Sequence, residues 1–501
     1  MPPRPVVLVS PIAGLLDTLY PQLPIPLLAI CRRLDTARFP VVIVDQRMPG
    51  WRERLDEALA RDPVLVGITS LTGDQLHFGA MLARYARSRC RAPVVWGGVH
   101  PTCAPQHLLR EGLADLVLRG EGEEVFPALV AALEANESPR HLPGLAWLDA
   151  DGAMHENPAG ALLDITELPD PPYHLLDMHA YAAAIGDHEV HVEGARGCRF
   201  GCTFCYNPVY NQQRWRPRSA ARLVGNLRWL HERHGARNFF INDDSFLLSP
   251  ARTAAFADGL AEAGMDIRWS TEGNLVSLER MSDAELERLV SLGFHWMSIG
   301  VENGSRRIRR LLRKDIDEER LYRFNRRAAR LGFRARYNFV TGTPWETADD
   351  LRQTVAMIER LLAENPSAWV QGCYVTTPYP GTVYLEQCRE HGLAEPRSTA
   401  VWADFDPFTV GKHLPWMRGE RGRQFELLMF ASLFVDHKAD YHVGASAFGR
   451  LVSALGRAYR PVARGRLHHL WATPFPEAAV IKTGIRLQRA RVRRQLGLGR
   501  P

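Results

Sequence analysis

The residues best suited to chemistry are three cysteines in RGCRFGCTFCYNP: Cys198, Cys202 and Cys205, in a C-x3-C-x2-C spacing. Three thiolates closing on one loop can ligate three irons of a [4Fe–4S] cluster and leave the fourth iron open to a substrate or cofactor. A three-cysteine zinc site competes, but no nearby His or fourth Cys completes it at zinc-finger spacing. Three buried thiols without a role are the remaining reading, and free cysteines are usually isolated in a core. Of the other cysteines (Cys31, Cys90, Cys103, Cys373 and Cys388), Cys373 lies on a predicted strand where it could face a barrel interior. It is the one catalytic candidate outside the cluster, against the reading of a buried inert thiol. His100 and the pair His468–His469 show no metal spacing.

The elements that must position this loop follow from the apolar pattern. A chain of 501 residues suggests two to four domains. With 46% apolar and 24% charged residues it is not disordered, collagenous or coiled-coil. Short β-branched runs at 5–11, 40–46, 64–69, 93–98 and 115–120 alternate with amphipathic stretches such as Asp74–Cys90 and Glu123–Asn136. Continuous apolar strands separated by helices predict a doubly wound, Rossmann-like α/β domain over 1–140, binding ligands at its strand ends. A hairpin around Asp151–Gly152 and a Pro-rich connector fill 141–189. Six further strands are predicted at 191–197, 238–244, 266–273, 295–302, 334–343 and 368–377. Ser249–Pro250, Ser282-x-x-Glu285 and Thr347 supply helix starts between them. Six successive βα units over 190–400 suggest a partial or full parallel barrel, with its site at the strand C-termini. A helical region, 401–501, follows, whose stretch Glu420–Asp440 packs its apolar residues Leu427–Val435 on the barrel.

No apolar run reaches the ~18 residues of a membrane span. The early prolines of MPPRPVVLVSP argue against a signal peptide, and eight cysteines are too sparse for a disulfide scaffold, so a cytoplasmic location is expected. The net charge of +6 is uneven: from Arg450 to Pro501 twelve Lys and Arg face Glu477 alone, a net +11, and residues 1–449 carry −5. The basic helical pattern Ala478–Arg500 carries Val480, Ile481, Ile485, Leu487 and Val492. Two readings stand: a solvated helix packing these residues on the barrel, or peripheral docking on an anionic membrane surface, such as the inner membrane.

The cysteine motif, with an aromatic (Phe204) before its last cysteine, resembles the signature of the radical S-adenosylmethionine (SAM) superfamily, and the resemblance implies a (βα)6 partial TIM barrel over 190–400. That resemblance implies that SAM chelates the open iron and is cleaved on reduction to a 5′-deoxyadenosyl radical that abstracts hydrogen from substrate. It places Phe204 near the adenine and makes Asp243 or Asp244, after Asn242, a partner of the SAM ammonium. Glu272 and Asn274 at the third strand end, and Glu302 in IGVENGS, become further SAM contacts. TGTPWET (Thr341–Thr347) and YPGT (Tyr379–Thr382) resemble recurring family elements. The first domain, with TSL (Thr69–Leu71), WGGVHPT (Trp96–Thr102) and RGEGEE (Arg119–Glu124), resembles the cobalamin-binding domain that precedes many such enzymes. The resemblance makes Thr69, Leu71, Gly97, Gly98, Gly120 and Glu121 cobalamin contacts, the glycines admitting the corrin to the backbone. One departure stands out: the cobalamin motif D-x-H-x-x-G reads Asp45-Gln46-Arg47-Met48-Pro49-Gly50, and a guanidinium has no lone pair for cobalt. Cobalamin without a lower histidine ligand, or a domain that has lost cobalamin, are the two consequences.

The function implied is a cobalamin-dependent radical SAM C-methyltransferase acting on an unactivated carbon of a small molecule, lipid or pigment intermediate. Its electrons would come from an external donor such as flavodoxin or ferredoxin. A cyclisation or rearrangement enzyme with the same cofactors and no net methylation is the alternative. A nucleic-acid-binding protein rests on the basic tail alone, without a recognisable module, and no nucleic acid is expected.

Overall fold

A computed structural model describes residues 3–14, 17, 21–186, 188–437, 447–473 and 476–498. Residues 438–440 of the stretch Glu420–Asp440 and 499–501 of the tail lie outside the described residues, as does the side chain of Val480.

The β-branched runs form β1 (Val6–Ser10), β2 (Val41–Asp45), β3 (Leu65–Thr69), β4 (Val94–Gly97) and β5 (Leu116–Leu118). All five pair in parallel. Their residues are almost wholly buried because helices cover both faces of the sheet. The hairpin is present as β6 (Leu145–Leu148) and β7 (Met154–Glu156), turning at Gly152 with φ +81°. It adds two antiparallel strands to the same sheet, which runs in the order β2-β1-β3-β4-β5-β6-β7. The first sheet therefore reaches past residue 140, into the span expected as connector. Strand order reverses between β1 and β3, which makes their carboxyl ends the switch point where such sheets bind ligands.

The second unit begins with β8 (Val190–Val192), and the predicted strand 191–197 breaks at Glu193–Gly194. The pair β9 (Ala195–Arg196) and β10 (Arg216–Pro217) is antiparallel. Then follow β11 (Asn238–Ile241), β12 (Arg268–Gly273), β13 (Phe294–Glu302), β14 (Arg334–Thr341) and β15 (Trp369–Val375). These five and β8 form one open six-stranded parallel sheet in sequence order. The predicted helix starts are present: Ser249 caps Pro250–Ala263, Ser282 and Glu285 form a capping box, and Thr347 pairs with Asp350 in a second box. Trp269 is wedged among Phe246, Phe256 and Phe294, gluing the outer helices to β12 and β13.

The helix Gly419–Ala431 buries Leu427, Leu428 and Phe430 against β15, as its apolar run requires. Cys373 lies in this apolar layer: it is fully buried, and its N–H donates to Ser432 Oγ at 2.8 Å. The expectation that it could face the barrel interior is therefore corrected, because its side chain packs outward beneath that helix.

The basic tail forms the helix Pro476–Gln495. Its first half rests on Gly419–Ala431, where Lys482 pairs with Glu426 at 2.7 Å. Its second half leaves the barrel for the first domain: Val492 and Leu496 join that domain's core cluster, and Arg489 pairs with Asp74 at 2.6 Å and Asp404 at 3.4 Å. Ile485 is buried, whereas Leu487 is exposed. The tail is thus a packed clasp across two domains. Arg489→Leu strands the buried Asp74 carboxylate and should cost ~3 kcal/mol. Arg491→Leu on the exposed face should be near neutral, and thermal melts of the two variants compare them directly.

Candidate active site

The cysteine loop is an excursion between β9 and β10. Gly197 opens it at φ +81°, and a Cβ there would stand 2.1 Å from the Arg214 carbonyl oxygen, so no other residue fits. Within the loop Cys202 is buried and Cys198 and Cys205 are half-buried. Backbone bonds stitch it to its surroundings from two sides: Thr203 N–H donates to Leu312 O (3.1 Å), and Tyr384 N–H donates to Thr203 O (2.9 Å). Asn207 N–H donates to Cys205 Sγ at 3.4 Å. Phe204 is half-buried against the core cluster that includes Tyr384. Among the described residues no three His, Cys, Asp or Glu side chains converge as the ligands of one ion would; thiolates on separate irons of a cluster need not do so.

The carboxylates named from the sequence separate into two kinds. Asp243 is buried and accepts from Gly194 N–H and Ala195 N–H, both at 2.7 Å. It braces the backbone beneath the loop, and burial pushes its carboxyl up to about 7. Asn274 caps the helix Leu275–Glu279 and donates to Ser245 Oγ, so its amide is also engaged in structure. Asn242 lies in the same strand-end turn as Asp243, its N–H donating to Val192 O at 2.8 Å. Asp244, by contrast, accepts from Gly197 N–H at 3.1 Å and lies beside Cys198 and Cys205. Glu272 is accessible from the barrel hollow yet enclosed by its wall, which raises its pKa.

Glu302 adopts φ +71°, a conformation costing roughly 1–3 kcal/mol in a non-glycine residue. Its carboxylate folds back over Gly300, where a Cβ would collide with Glu302 Oε1 at 2.2 Å. There it meets Lys314 Nζ at 3.3 Å. Burial opposes the Lys314 charge, but Glu302 and the neighbouring cysteines hold the ammonium above its usual range. Three carboxylates, Asp244, Glu272 and Glu302, and one ammonium, Lys314, therefore lie near the cysteine loop at the strand ends. In TGTPWET, Glu346 is buried and accepts from Thr343 N–H, Asn303 Nδ2 and Thr341 Oγ1, tying the β14 end into a closed turn. In YPGT, Thr382 caps the helix Val383–Glu390 that holds Tyr384.

In the first domain the paired glycines have different reasons. Gly98 has φ +100°, and a Cβ would lie 2.9 Å from both Ser70 O and Thr69 Oγ1, so the turn itself demands it. At Gly97 a Cβ would meet only the Leu118 carbonyl at 3.6 Å, an ordinary contact. The side chain of Leu71, at the end of β3, is 47% exposed at the switch point. Gly120 (φ +78°) donates its N–H to Thr102 Oγ1 at 2.9 Å. Glu121 reaches the second domain: its oxygens accept from Arg196 (2.9 Å), Arg216 (2.7 Å) and Leu163 N–H (2.8 Å). Both oxygens of this expected cofactor contact are occupied by the protein, which makes it a joint. Arg196 also donates to Glu123 and Glu193. Arg47 follows β2, one strand away from the switch point, and is bound to Asp45, Asp17 and the Gln22 carbonyl. His100 is fully buried, with its pKa lowered by burial to about 3, and it meets Thr72 Oγ1 at 2.9 Å.

The two strand-end faces adjoin. The helix Val99–Cys103, after β4, packs on Asn207–Tyr210, directly after the cysteine loop. Tyr210 Oη donates to Gly120 O at 3.1 Å. The sequence reading missed Lys314, Gly300, Arg196 and Arg336. Lys314 ends the run RRIRRLLRK, which resembles a solvated charged face. Arg336 had a legible signal: RARYNFVT alternates polar with apolar, which a parallel strand buried on both faces does not need.

Residues 192–358 match the radical SAM superfamily, and residues 15–130 match the B12 binding domain. The chain is 29% identical over 355 residues to an uncharacterized methyltransferase of Pyrococcus horikoshii, covering 70% of this chain and 75% of that one. It is 26% identical to the anaerobic magnesium-protoporphyrin IX monomethyl ester cyclase of Cereibacter sphaeroides, over 59% of this chain and 48% of the cyclase. Its fold is similar to that of the radical S-adenosylmethionine methyltransferase TsrM from Kitasatospora setae, with a TM-score of 0.67 at 18% identity, covering 92% and 98% of the two chains.

Burial also raises the Glu346 carboxyl to about 7, above the ~4.3 of an unfolded glutamate. The folded state then holds this proton more tightly, so its stabilising effect is complete below pH ~4 and is lost as pH rises through 7. Between pH 5.5 and 8 the melting temperature of Glu346→Gln should fall less than that of the parent.

Proposed function

We propose that this chain, a radical SAM superfamily enzyme with an N-terminal B12 binding domain, transfers a methyl group to an unactivated carbon of a small-molecule substrate. The observation that carries the reading is the contact between the switch-point face of the first domain and the cysteine loop of the second. Bound there, the [4Fe–4S] cluster with SAM supplies hydrogen-atom abstraction, and cobalamin supplies the methyl carrier. Cys198, Cys202 and Cys205 hold the cluster, and Asn207 N–H stabilises the Cys205 thiolate. Burial raises all three thiols, so loading releases protons. Asp244, Glu272 and the Glu302–Lys314 pair orient the charged end of SAM, and Phe204 borders its adenine. Asp243 and Asn274 support these groups without contact.

In the first domain Gly97 and Leu71 face the corrin, with Thr69, Gly98 and Gly120 shaping the same surface. The open space over Gly97 and the exposed Leu71 fit a large planar group. Arg47 offers no lone pair and its guanidinium is held by Asp45, Asp17 and the Gln22 carbonyl, so it would not be among the residues that hold cobalamin. The magnesium-protoporphyrin cyclase among the relatives supports the second reading, ring closure without methylation. An external one-electron donor of the flavodoxin or ferredoxin kind serves either reaction.

Anaerobic reconstitution tests the assignment. The parent should take up one four-iron cluster and bind hydroxocobalamin, and each of Cys198→Ala, Cys202→Ala and Cys205→Ala should lose cluster and SAM cleavage by at least a hundredfold. Methylation yields S-adenosylhomocysteine and 5′-deoxyadenosine in equal amounts; 5′-deoxyadenosine alone selects the second reading. Among the described residues no helix is long and apolar enough to cross a membrane. Leu455, Val462 and Leu487 are nevertheless exposed on the C-terminal helices and Trp471 on the connection between them, and Arg486, Arg491 and Arg494 are exposed on the last helix. This face suits peripheral contact with an anionic bilayer. Reversing the three arginines to Glu should abolish co-sedimentation with phosphatidylglycerol vesicles and leave the fold intact.

A further inference from the structure

Arg336 has no part in the reading above. It stands on β14 in the same register layer as Ser298 on β13 and Glu272 on β12. Arg334, Arg336 and Asn338 alternate with buried Ala335, Tyr337 and Phe339, so Arg336 faces the barrel hollow. It lies five residues before Thr341, the end of β14, and level with Glu272, whose carboxylate it attracts. The cysteine loop, Glu302 and Lys314 gather at that upper end.

Several buried arginines of the chain meet carboxylates directly. Arg32 meets Glu193 at 2.7 Å, Arg218 meets Asp170 at 2.7 Å, and Arg309 meets Glu318 at 2.6 Å. Arg336 differs from these three: with the described residues it makes no ion pair or hydrogen bond, and its Nε is buried without a partner. Its guanidinium lies over the ring of Trp296, 5.0 Å from the centroid, and Trp296 stacks on Phe240 at 5.3 Å. Above it Asn338 donates to Ser298 Oγ at 2.7 Å, while its own Oδ1 is buried and unpartnered. Glu189 below is engaged with Ser270 and Trp296 Nε1. Glu272 and Glu189 favour its charge from a distance, but neither pairs with it, so the anion of a ligand can still supply a direct partner. A guanidinium with its two terminal nitrogens free matches a carboxylate or phosphate in fork geometry.

We propose that Arg336 receives an anionic group, carboxylate or phosphate, of the substrate, whose flat or apolar part lies against Trp296. This rests on the barrel being the reaction chamber, but its test needs neither cobalamin nor turnover. The full chain is titrated with phenylphosphonate, phenylacetate and neutral 2-phenylethanol, followed by tryptophan fluorescence. The two anions should bind saturably and at least tenfold more tightly than the alcohol. Arg336→Met should lose that preference, and Arg336→Lys should keep part of it. Because the guanidinium makes no internal ion pair or hydrogen bond and methionine can keep the packing on Trp296, Arg336→Met should melt no lower than the parent. Equal anion affinity in parent and Arg336→Met, no saturable anion binding, or a clear drop in melting temperature would each overturn the proposal. SAM is the other source of a carboxylate, so equilibrium dialysis of SAM against cluster-loaded protein is the second arm. Unchanged SAM affinity in Arg336→Met supports a substrate subsite, and a tenfold loss assigns the arginine to SAM and overturns it.

Discussion

The arrangement of the whole molecule turns on one guanidinium. Arg196 lies two residues before Cys198 and donates to Glu121 and Glu123 of the first domain and to Glu193 of its own, at 2.5–2.9 Å. Glu193 in turn holds Arg32 of the first domain. Charges removed from water in this way add little net stability against an apolar alternative. They do penalise every other relative position of the two domains, since any slip leaves a buried charge unpaired. The same residue that aligns the domains is held in β9, so the alignment reaches the cysteine loop through a single peptide step. Gly197 then turns the chain where no side chain fits. Domain docking and loop geometry are consequently one constraint.

A second constraint acts within the barrel. Parallel strands deliver side chains to the hollow only at alternate positions, and Glu302 reaches the loop by bending back through positive φ over a glycine. Strain at that one residue lets a carboxylate from β13 meet Lys314, which comes from the turn beyond the next helix. Asp243 and Glu346 are polar residues of another sort. They satisfy backbone N–H groups at the strand ends, where turns replace ladder bonds.

The architecture was legible in the sequence because its strands are long β-branched runs and its helices begin on Ser, Thr and Pro. The cysteine loop was legible because thiol spacing is a local property. What was not legible depended on partners distant in the chain. GEGE in a cofactor-binding context suggested a contact for Glu121, and only the approach of Arg196 and Arg216 shows where that carboxylate goes. Asp243 and Asp244 are indistinguishable in sequence, yet alternate sides of the chain send one into the backbone and the other toward the cysteines. Gly97 and Gly98 are equally alike, and the conformation of the turn separates them. The tail was read by its charge, whereas its docking on the first domain followed from Asp74, more than four hundred residues away.

That last contact has a bearing on how the protein is made. Gln488 reaches back to the carbonyl of Gly14 at 3.3 Å, so the clasp joins segments 474 residues apart. During synthesis the first sheet can form from local strand–helix units as they emerge. Its outer helix Asp74–Arg87 keeps the carboxylate of Asp74 without its arginine until the helix Pro476–Gln495 has been made. A chain cut between the barrel strands and that helix would therefore keep the barrel sheet and leave this face of the first domain without Arg489, Val492 and Leu496.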